Sequence, residues 1–98
     1  MECLITLKRI YEILKAIGQN PKITTNKLHE QLKYPKASLI WYLERLNKAG
    51  LIARLEDYDA KVPYYYKRPK QHILTPKGKE FFNALDVIIP FIDDLLEK

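Results

Sequence analysis

The sequence is poor in the residues that disulfide-bonded, secreted and membrane proteins depend on. Its single cysteine, Cys3, cannot form an internal disulfide, which agrees with a reducing compartment. The apolar run at residues 87–89 is cut by Pro90, whereas a membrane span needs about 20 apolar residues. Near Glu2 there is no basic region leading into an apolar run, so we expect no secretory signal. These features predict a cytoplasmic protein that makes no membrane contact.

Residues with catalytic or metal-binding chemistry are equally scarce. Ser38 is the only serine, and His29 and His72 lie far apart in the sequence. Cys3 has no partner at metal-ligand spacing, and the three glycines lie at the ends of predicted elements rather than in a phosphate-binding loop. We therefore predict that the chain is not an enzyme and uses no metal or cofactor.

The charged residues are distributed unevenly along the 98 residues. The whole chain has 17 basic and 12 acidic residues, a net charge of +5. Residues 1–79 hold 16 basic and 7 acidic residues, a net +9, whereas residues 80–98 hold 1 and 5, a net −4. A basic body with an acidic tail favours a polyanionic partner for the body.

Apolar periodicity predicts two helices in the first third of the chain. The first helix covers residues 2–17, where apolar residues recur every three or four positions, and Gly18 marks its end. A short β-prone piece follows at residues 23–25. Thr24 or Thr25 then caps a second helix at residues 25–33.

A third helix is predicted at residues 35–49, with Pro35 in its first position and Gly50 as its stop. On a helical wheel four apolar side chains fall on one side and form the predicted buried stripe. These are Leu39, Tyr42, Leu43 and Leu46. The opposite side carries Trp41 at its centre, which is unusual for an exposed face.

The last part of the chain reads as a hairpin followed by a long helix. Residues 51–75 form the hairpin, with strands at 51–55 and 71–75 joined by a long connection. Residues 76–97 form the last helix, which Pro90 should kink or split. In one domain spanning residues 1–98, this order predicts an α+β, mainly α fold: a winged helix-turn-helix with a long C-terminal dimerisation helix.

Three segments resemble the winged-helix regulators of bacteria and archaea, of the MarR, ArsR and PadR type. TNKLHEQL at residues 25–32 is similar to the second helix of these proteins. ASLIWYLERLNKAGLI at residues 37–52 is similar to their recognition helix and its exit, and LTPKGKEFF at residues 74–82 to the start of their terminal helix. The resemblance implies DNA binding, in a family that includes drug and metal sensors, viral regulators and plasmid-partition proteins.

Two departures limit what the resemblance implies. The hairpin connection is longer than is usual in the family, and the recognition helix presents Ile40 and Trp41 where small polar residues are common. A base preference therefore does not transfer to this chain.

The candidate DNA contacts lie on the recognition helix, on the wing and at the start of the second helix. A helix fits the major groove, and basic wing residues can contact phosphates beside it. Helix starts also attract phosphate. The predicted contacts are Asn26, Lys27, Lys36, Ser38, Ile40, Trp41, Arg45, Lys61, Tyr65, Lys67, Arg68 and Lys70, with Tyr64 and Tyr66 as weaker candidates. The structural alternatives are that Trp41 covers a protein surface, that the wing is a solvated hairpin, and that Asn26 is only a turn residue.

The first and last helices carry apolar stripes wider than a small core can cover, which favours association with a second copy. The predicted dimer contacts are Leu4, Leu7, Tyr11, Phe82, Leu85, Ile88, Ile89, Ile92, Leu95 and Leu96. The alternative is that the last helix packs across the first within one chain.

Our leading hypothesis is a homodimeric, nucleoid-associated regulator of transcription that binds specific double-stranded DNA, more as a repressor than as an activator. A second hypothesis is an architectural or plasmid-partition protein that spreads along DNA. A third is a protein-docking module that uses Ile40 and Trp41, and a further protein partner at the wing or the C-terminal helix is left open. The sequence predicts no effector ligand, because no polar cluster interrupts the apolar stripes.

Overall fold

A computed structural model describes residues 2–56 and 70–97 of the chain. Four helices and three strands follow one another in the order expected for a winged helix-turn-helix. They are α1 (Glu2–Gln19), β1 (Ile23–Thr24), α2 (Thr25–Leu32), α3 (Lys36–Lys48), β2 (Ile52–Glu56), β3 (Lys70–Leu74) and α4 (Pro76–Leu96). The predicted bounds differ from these by one or two residues, and the predicted α+β, mainly α fold class is confirmed.

Hydrogen bonds mark both ends of α2, and a proline precedes α3. The cap of α2 is Thr24, whose hydroxyl accepts a hydrogen bond from the backbone N–H of Lys27 at 3.3 Å. At the other end, Lys33 has a left-handed φ of 61° and donates its backbone N–H to the carbonyl of His29. Pro35 stands just before α3 as its N-cap residue rather than inside the helix, so the predicted start was one residue early.

The sheet has the strand order β1-β3-β2, with both pairs antiparallel. The predicted hairpin pairs Ile52 with Leu74 and Arg54 with His72. On the other side of β3, Ile23 of β1 also pairs with His72. The short β1 therefore ties the segment before α2 to the central strand of the wing.

The core lies where the helices meet this small sheet. The stripe predicted for α3 is confirmed, since Leu39, Tyr42, Leu43 and Leu46 are all buried. They pack with apolar side chains from the other elements, chiefly Ile13, Leu14, Ile17, Leu28, Ile52 and Leu85. Because α3 buries this side fully, its opposite side is held facing outward.

The last helix is unbroken over its 21 residues, so the prediction that Pro90 splits it is wrong. Pro90 and Asp86 are both exposed, so water can reach the Asp86 carbonyl that loses its helical donor. Ile89 and Ile92 are buried on either side of the proline and hold both halves of α4 in the core. Within residues 2–56 and 70–97, no helix combines the length and hydropathy needed to cross a membrane.

The start of α4 is fastened to the end of α3. The Thr75 hydroxyl accepts from the backbone N–H of Gly78 at 3.0 Å and donates to the carbonyl of Gly50 at 2.6 Å. The Lys77 ammonium donates to the carbonyl of Ala49 at 2.9 Å, at the helix end where a positive charge is favoured. These bonds give the TPKG motif a structural role, because they fix α4 relative to the recognition helix.

At Gly78 the backbone of α4 comes closest to the turn that follows α3. A Cβ placed there would overlap the carbonyl oxygen of Leu51, in the turn between α3 and β2. Glycine is therefore required at this position by the approach of two backbones.

Candidate nucleic-acid interface

The outward side of α3 is the side that a DNA-binding helix must present. Trp41 is 50% exposed and Ile40 is 41% exposed, and Lys36 and Arg45 are exposed as well. Ser38 is half-buried, at the border between the two sides. A basic and aromatic surface on a helix with a buried back is suited to contact with a nucleic acid duplex.

Trp41 and Arg45 act as one unit on this surface. The Arg45 guanidinium carbon lies 5.1 Å from the centroid of the Trp41 ring, within the range of a cation–π interaction. Trp41 also meets Tyr42 in an edge-on arrangement, with the ring centroids 5.2 Å apart. The tryptophan is therefore held in place at the surface together with a positive charge.

Beside this unit, a groove of about 400 Å³ runs between the start of α2, the side of α3 and strands β2 and β3. It brings together four of the predicted DNA contacts. These are Asn26, Lys36, Ile40 and Lys70, and the other lining residues are Thr24, Thr25, Leu43, Glu44, Arg54 and His72. We call this the α3–sheet groove.

Another predicted contact, Lys27, does not line this groove. Lys27 lines a separate, shallower depression with Asn20, Ile23, Glu30 and Gln31, on the far side of the start of α2. Tyr64, Lys61, Tyr65, Tyr66, Lys67 and Arg68 lie outside the described residues. DNA contact by all of these residues stays a prediction.

Sequence reasoning missed Arg54 and His72 as neighbours of this surface. They are direct partners across the β2–β3 pair, so both side chains lie on the same face of the sheet. Period-two alternation places Arg54 on the same face as Ile52, but only the strand register shows that it lies opposite His72. Thr25 was considered only as a cap.

His72 is the most unusual polar residue of the site. It is 1% exposed, and its Nε2 atom lies 2.9 Å from the Thr25 hydroxyl oxygen. Its Nδ1 atom has no hydrogen-bond partner among the described residues. Burial, and then the charges of Arg54 and Lys70, lower the pKa of His72 to about 4. The imidazole is therefore neutral at pH 7.

The predicted dimer residues divide into three groups, which are buried, partly buried and exposed. Leu85, Ile89 and Ile92 are buried within one chain, because α4 packs along α1. These three residues therefore belong to the core of one chain, and their contact with a second copy stays a prediction. Tyr11 is also occupied within the chain, since it stacks on Phe82 at 5.0 Å and donates its hydroxyl hydrogen to Asp86 at 2.6 Å.

Leu4, Leu7 and Leu96, like Tyr11 and Phe82, are partly buried and pack against the core. Ile88 and Leu95 remain exposed.

An exposed apolar stripe does run along α4, and two of its four members, Val87 and Phe91, were not predicted. Val87 is 69% and Phe91 67% exposed, and Ile88 and Leu95 lie on the same side of the helix. We call these four residues the α4 stripe. Periodicity alone does not show which part of the apolar surface of α4 is covered by α1.

Metal chemistry finds no support in the described part of the chain. Across residues 2–56 and 70–97, no three histidine, cysteine or carboxylate side chains come together as a metal site.

Comparisons with known proteins agree with this architecture. Residues 7–53 match the family model described as winged helix-turn-helix DNA-binding. The match runs from within α1 to the beginning of β2 and thus includes the whole of α3. No curated protein matches the sequence significantly.

Among solved structures, the chain is similar to the PcaV transcriptional regulator of Streptomyces coelicolor, which was solved with its natural ligand. The TM-score is 0.77 and the sequence identity 19%, over 90% of this chain and 58% of PcaV. MarR of E. coli gives 0.72 and 22% identity over 83% and 56%. FabT of Streptococcus pneumoniae, solved in complex with DNA, gives 0.68 and 17% identity over 91% and 59%.

This chain spans less than three fifths of each of these regulators. The likeness at such low identity concerns the fold, and it confirms the resemblance noted in the sequence. The chain thus has the winged helix-turn-helix fold that these regulators share.

Proposed function

We propose that the protein is a DNA-binding regulator of transcription that acts as a homodimer and represses the genes it controls. The observation that carries this proposal is the outward side of α3, where Trp41, Arg45 and Lys36 are exposed on a helix whose other side is buried. A winged helix-turn-helix places such a helix in the major groove. The net charge of +9 over residues 1–79 favours the approach of a polyanion.

Each exposed group has a plausible contact in that arrangement. Lys36 and Arg45 have the chemistry to contact guanine edges or phosphate oxygens, and Ile40 and Trp41 to pack on thymine methyl groups or sugars. Asn26 lies at the start of α2, where backbone N–H groups favour a phosphate. Lys70 would lie along the neighbouring backbone, and contact by Lys61, Tyr65, Lys67 and Arg68 stays a prediction.

Dimerisation follows from the α4 stripe. Four exposed apolar side chains on one side of a helix favour burial against a second copy. A twofold dimer would place two copies of α3 about 34 Å apart, one helical turn of DNA, and would read an inverted repeat. A repressor would then act by covering its site, in the cytoplasm and on the nucleoid.

The direct test is selection of bound sequences from a random pool of double-stranded DNA. We expect enrichment of an inverted repeat whose half-sites are one helical turn apart. The variant Lys36→Gln/Arg45→Gln should lose enrichment, whereas Lys15→Gln/Lys79→Gln, which removes the same charge from exposed sites on α1 and α4, should keep it. Equal enrichment by both variants would contradict the proposed role of α3.

A second candidate function is a protein-docking module. It is favoured by the exposure of Trp41 and Ile40, because large exposed apolar side chains are typical centres of protein interfaces. On this view the Lys36→Gln/Arg45→Gln variant would keep its biological function in cells while Trp41→Ala would lose it. The regulator hypothesis predicts that both variants lose it.

A further inference from the structure

The outward side of α3 carries three neighbouring apolar side chains in the first half of the helix. They are Ala37, Ile40 and Trp41, all exposed, and Ala37 neighbours the other two because they follow it by three and four residues. With about 100° of rotation per residue, Ala37 and Trp41 lie within about 30° of the direction opposite the buried stripe. These residues would therefore enter a groove deeply, and we call the three of them the α3 apolar patch.

The chemistry of the α3 apolar patch limits what it can recognise. Ala37 and Ile40 have no side-chain donor or acceptor, and Trp41 has a single N–H donor. In the major groove, the thymine C5 methyl group is the feature of a base edge that an apolar side chain contacts favourably. An amino group at the same place, as on cytosine, would lose its water without gaining a partner, which lowers affinity.

The charges around the patch indicate that it faces base edges rather than the phosphate backbone. Glu44 is exposed and lies about 30° from the same outward direction, where its carboxylate would repel phosphate. Lys36 and Arg45 lie further round, towards the two edges of the outward side, and attract phosphate oxygens or guanine. These charges suit a duplex whose bases meet the centre of this side and whose phosphates lie beside its edges.

Trp41 is also held in position before any DNA is bound. The Arg45 guanidinium carbon lies 5.1 Å from the ring centroid of Trp41, and the buried Tyr42 meets the ring edge-on. A side chain that is already fixed loses little conformational entropy on binding. The ring therefore offers a preformed apolar surface, against which even one methyl group is able to contribute to affinity.

We propose that the α3 apolar patch contacts the methyl group of a thymine in each half of the DNA site and so selects that base. This inference rests on the proposed function, because it requires α3 to lie in the major groove. Packing on sugars would be blind to base identity, whereas thymine is the one standard DNA base with a methyl group. The selected sequences should therefore share a thymine at one position of each half-site.

The test uses the duplex obtained by selection from random DNA. Each thymine is replaced in turn by deoxyuridine, in both half-sites together, which removes the methyl group and keeps the base pair. We expect one position at which this change weakens binding of the wild type about 15-fold, or about fourfold for each methyl group buried. Fluorescence anisotropy measures the two affinities and their ratio.

Two variants assign the effect to the patch. Ile40→Ala/Trp41→Ala should bind the thymine and uracil duplexes equally, and both side chains are exposed, so the fold should be kept. Ile5→Ala is the matched control, because it removes an isoleucine of the same 41% exposure from α1, and it should keep the full ratio.

A second measurement needs no variant, and it decides if the double variant binds neither duplex. Bromodeoxyuridine at the sensitive position places a photoreactive bromine where the methyl group was. Irradiation of the wild-type complex should cross-link the DNA to Trp41, the only tryptophan of the chain. Cross-linking to other residues alone would overturn the contact.

The outcomes separate this inference from the proposed function. A selected inverted repeat that the wild type binds equally with thymine or uracil at every position overturns the methyl contact and keeps the regulator. The same holds if the Ile40→Ala/Trp41→Ala variant keeps the ratio. Methyl discrimination by a chain that binds single half-sites as a monomer keeps the contact and removes the homodimer, and a chain that selects no DNA removes both.

Discussion

The exposed sides of α3 and α4 differ in chemistry, although both carry large apolar side chains. On α3, Trp41 is half-exposed and lies under the guanidinium of Arg45. On α4, Val87 and Phe91 are about two thirds exposed and share their side of the helix with other apolar residues. Exposure alone therefore does not define a partner. The charges beside an exposed apolar side chain decide whether a polyanion or another apolar surface fits it.

One set of hydrogen bonds fixes α3 and α4 relative to each other. Thr75 and Lys77 bond the start of α4 to the last carbonyls of α3 and the turn after it. Any dimer formed through α4 therefore sets the spacing of two α3 helices. The expectations below test this division of roles, beginning with the largest effect.

Salt should separate the two surfaces most clearly. With roughly 6–10 phosphate contacts, DNA affinity should fall about 10³–10⁵-fold between about 50 and 200 mM salt. The reason is that binding releases counterions from the DNA, and this release is less favourable when the solution already contains more salt. Association through the apolar α4 stripe should change little. Fluorescence anisotropy with a selected DNA and sedimentation of the protein alone measure the two. DNA affinity that ignores salt, or a dimer that dissociates as steeply as DNA does, would contradict the comparison.

Gly78→Ala should destabilise the close contact between the start of α4 and the turn after α3. The added methyl group meets the backbone carbonyl of Leu51, which cannot rotate away, so we expect the free energy of unfolding to fall by about 3 kcal/mol, at the upper end for overpacking. Gly18→Ala is the matched control, because its new Cβ meets only the end of the Leu74 side chain at 3.1 Å. That change should alter stability by less than about 1 kcal/mol. Urea denaturation compares the two variants. Equal free energies of unfolding would show that the contact between Gly78 and the Leu51 carbonyl is not close.

The folding stability should depend on pH because of His72, which is buried beside α3. Its pKa is lowered from 6.5 to about 4 in the folded chain, so the unfolded chain binds the proton more readily. The stabilisation is complete above pH 6.5 and is lost as the pH falls towards 4. The full difference amounts to about 3 kcal/mol.

The measurement is urea denaturation at several pH values between 7 and about 4, the window of this titration. His72→Asn should flatten this part of the stability curve. Parallel curves for the wild type and the His72 variant would show that the histidine does not stay neutral in the fold.

Phe91→Ala should give the smallest effect, and on association alone. Loss of a central apolar contact costs about 2 kcal/mol, so the dimer should dissociate about 30-fold more readily. Ile89→Ala, at the buried neighbour, should instead lower the free energy of unfolding by about 2–5 kcal/mol. Sedimentation equilibrium together with urea denaturation distinguishes the two. Association that survives Phe91→Ala would assign the α4 stripe to another partner.

What the residues alone determined is the local part of the molecule. A period of 3.6 places Leu39, Tyr42, Leu43 and Leu46 on one side of a helix and Trp41 on the other, whatever the rest of the chain does. Helix ends likewise follow from threonine caps and from proline or glycine breaks close by in the sequence. For this reason the order of elements and the outward side of α3 were predicted correctly.

Only the tertiary structure decided which surfaces lie next to each other. Strand register, a contact between distant residues, put Arg54 opposite His72 and built the α3–sheet groove. Packing of α4 on α1 buried Leu85 and Ile89 and left Val87 and Phe91 exposed, although all four are apolar and belong to one helix. Periodicity shows that a helix has an apolar side, but the neighbour that covers it is chosen by the whole fold.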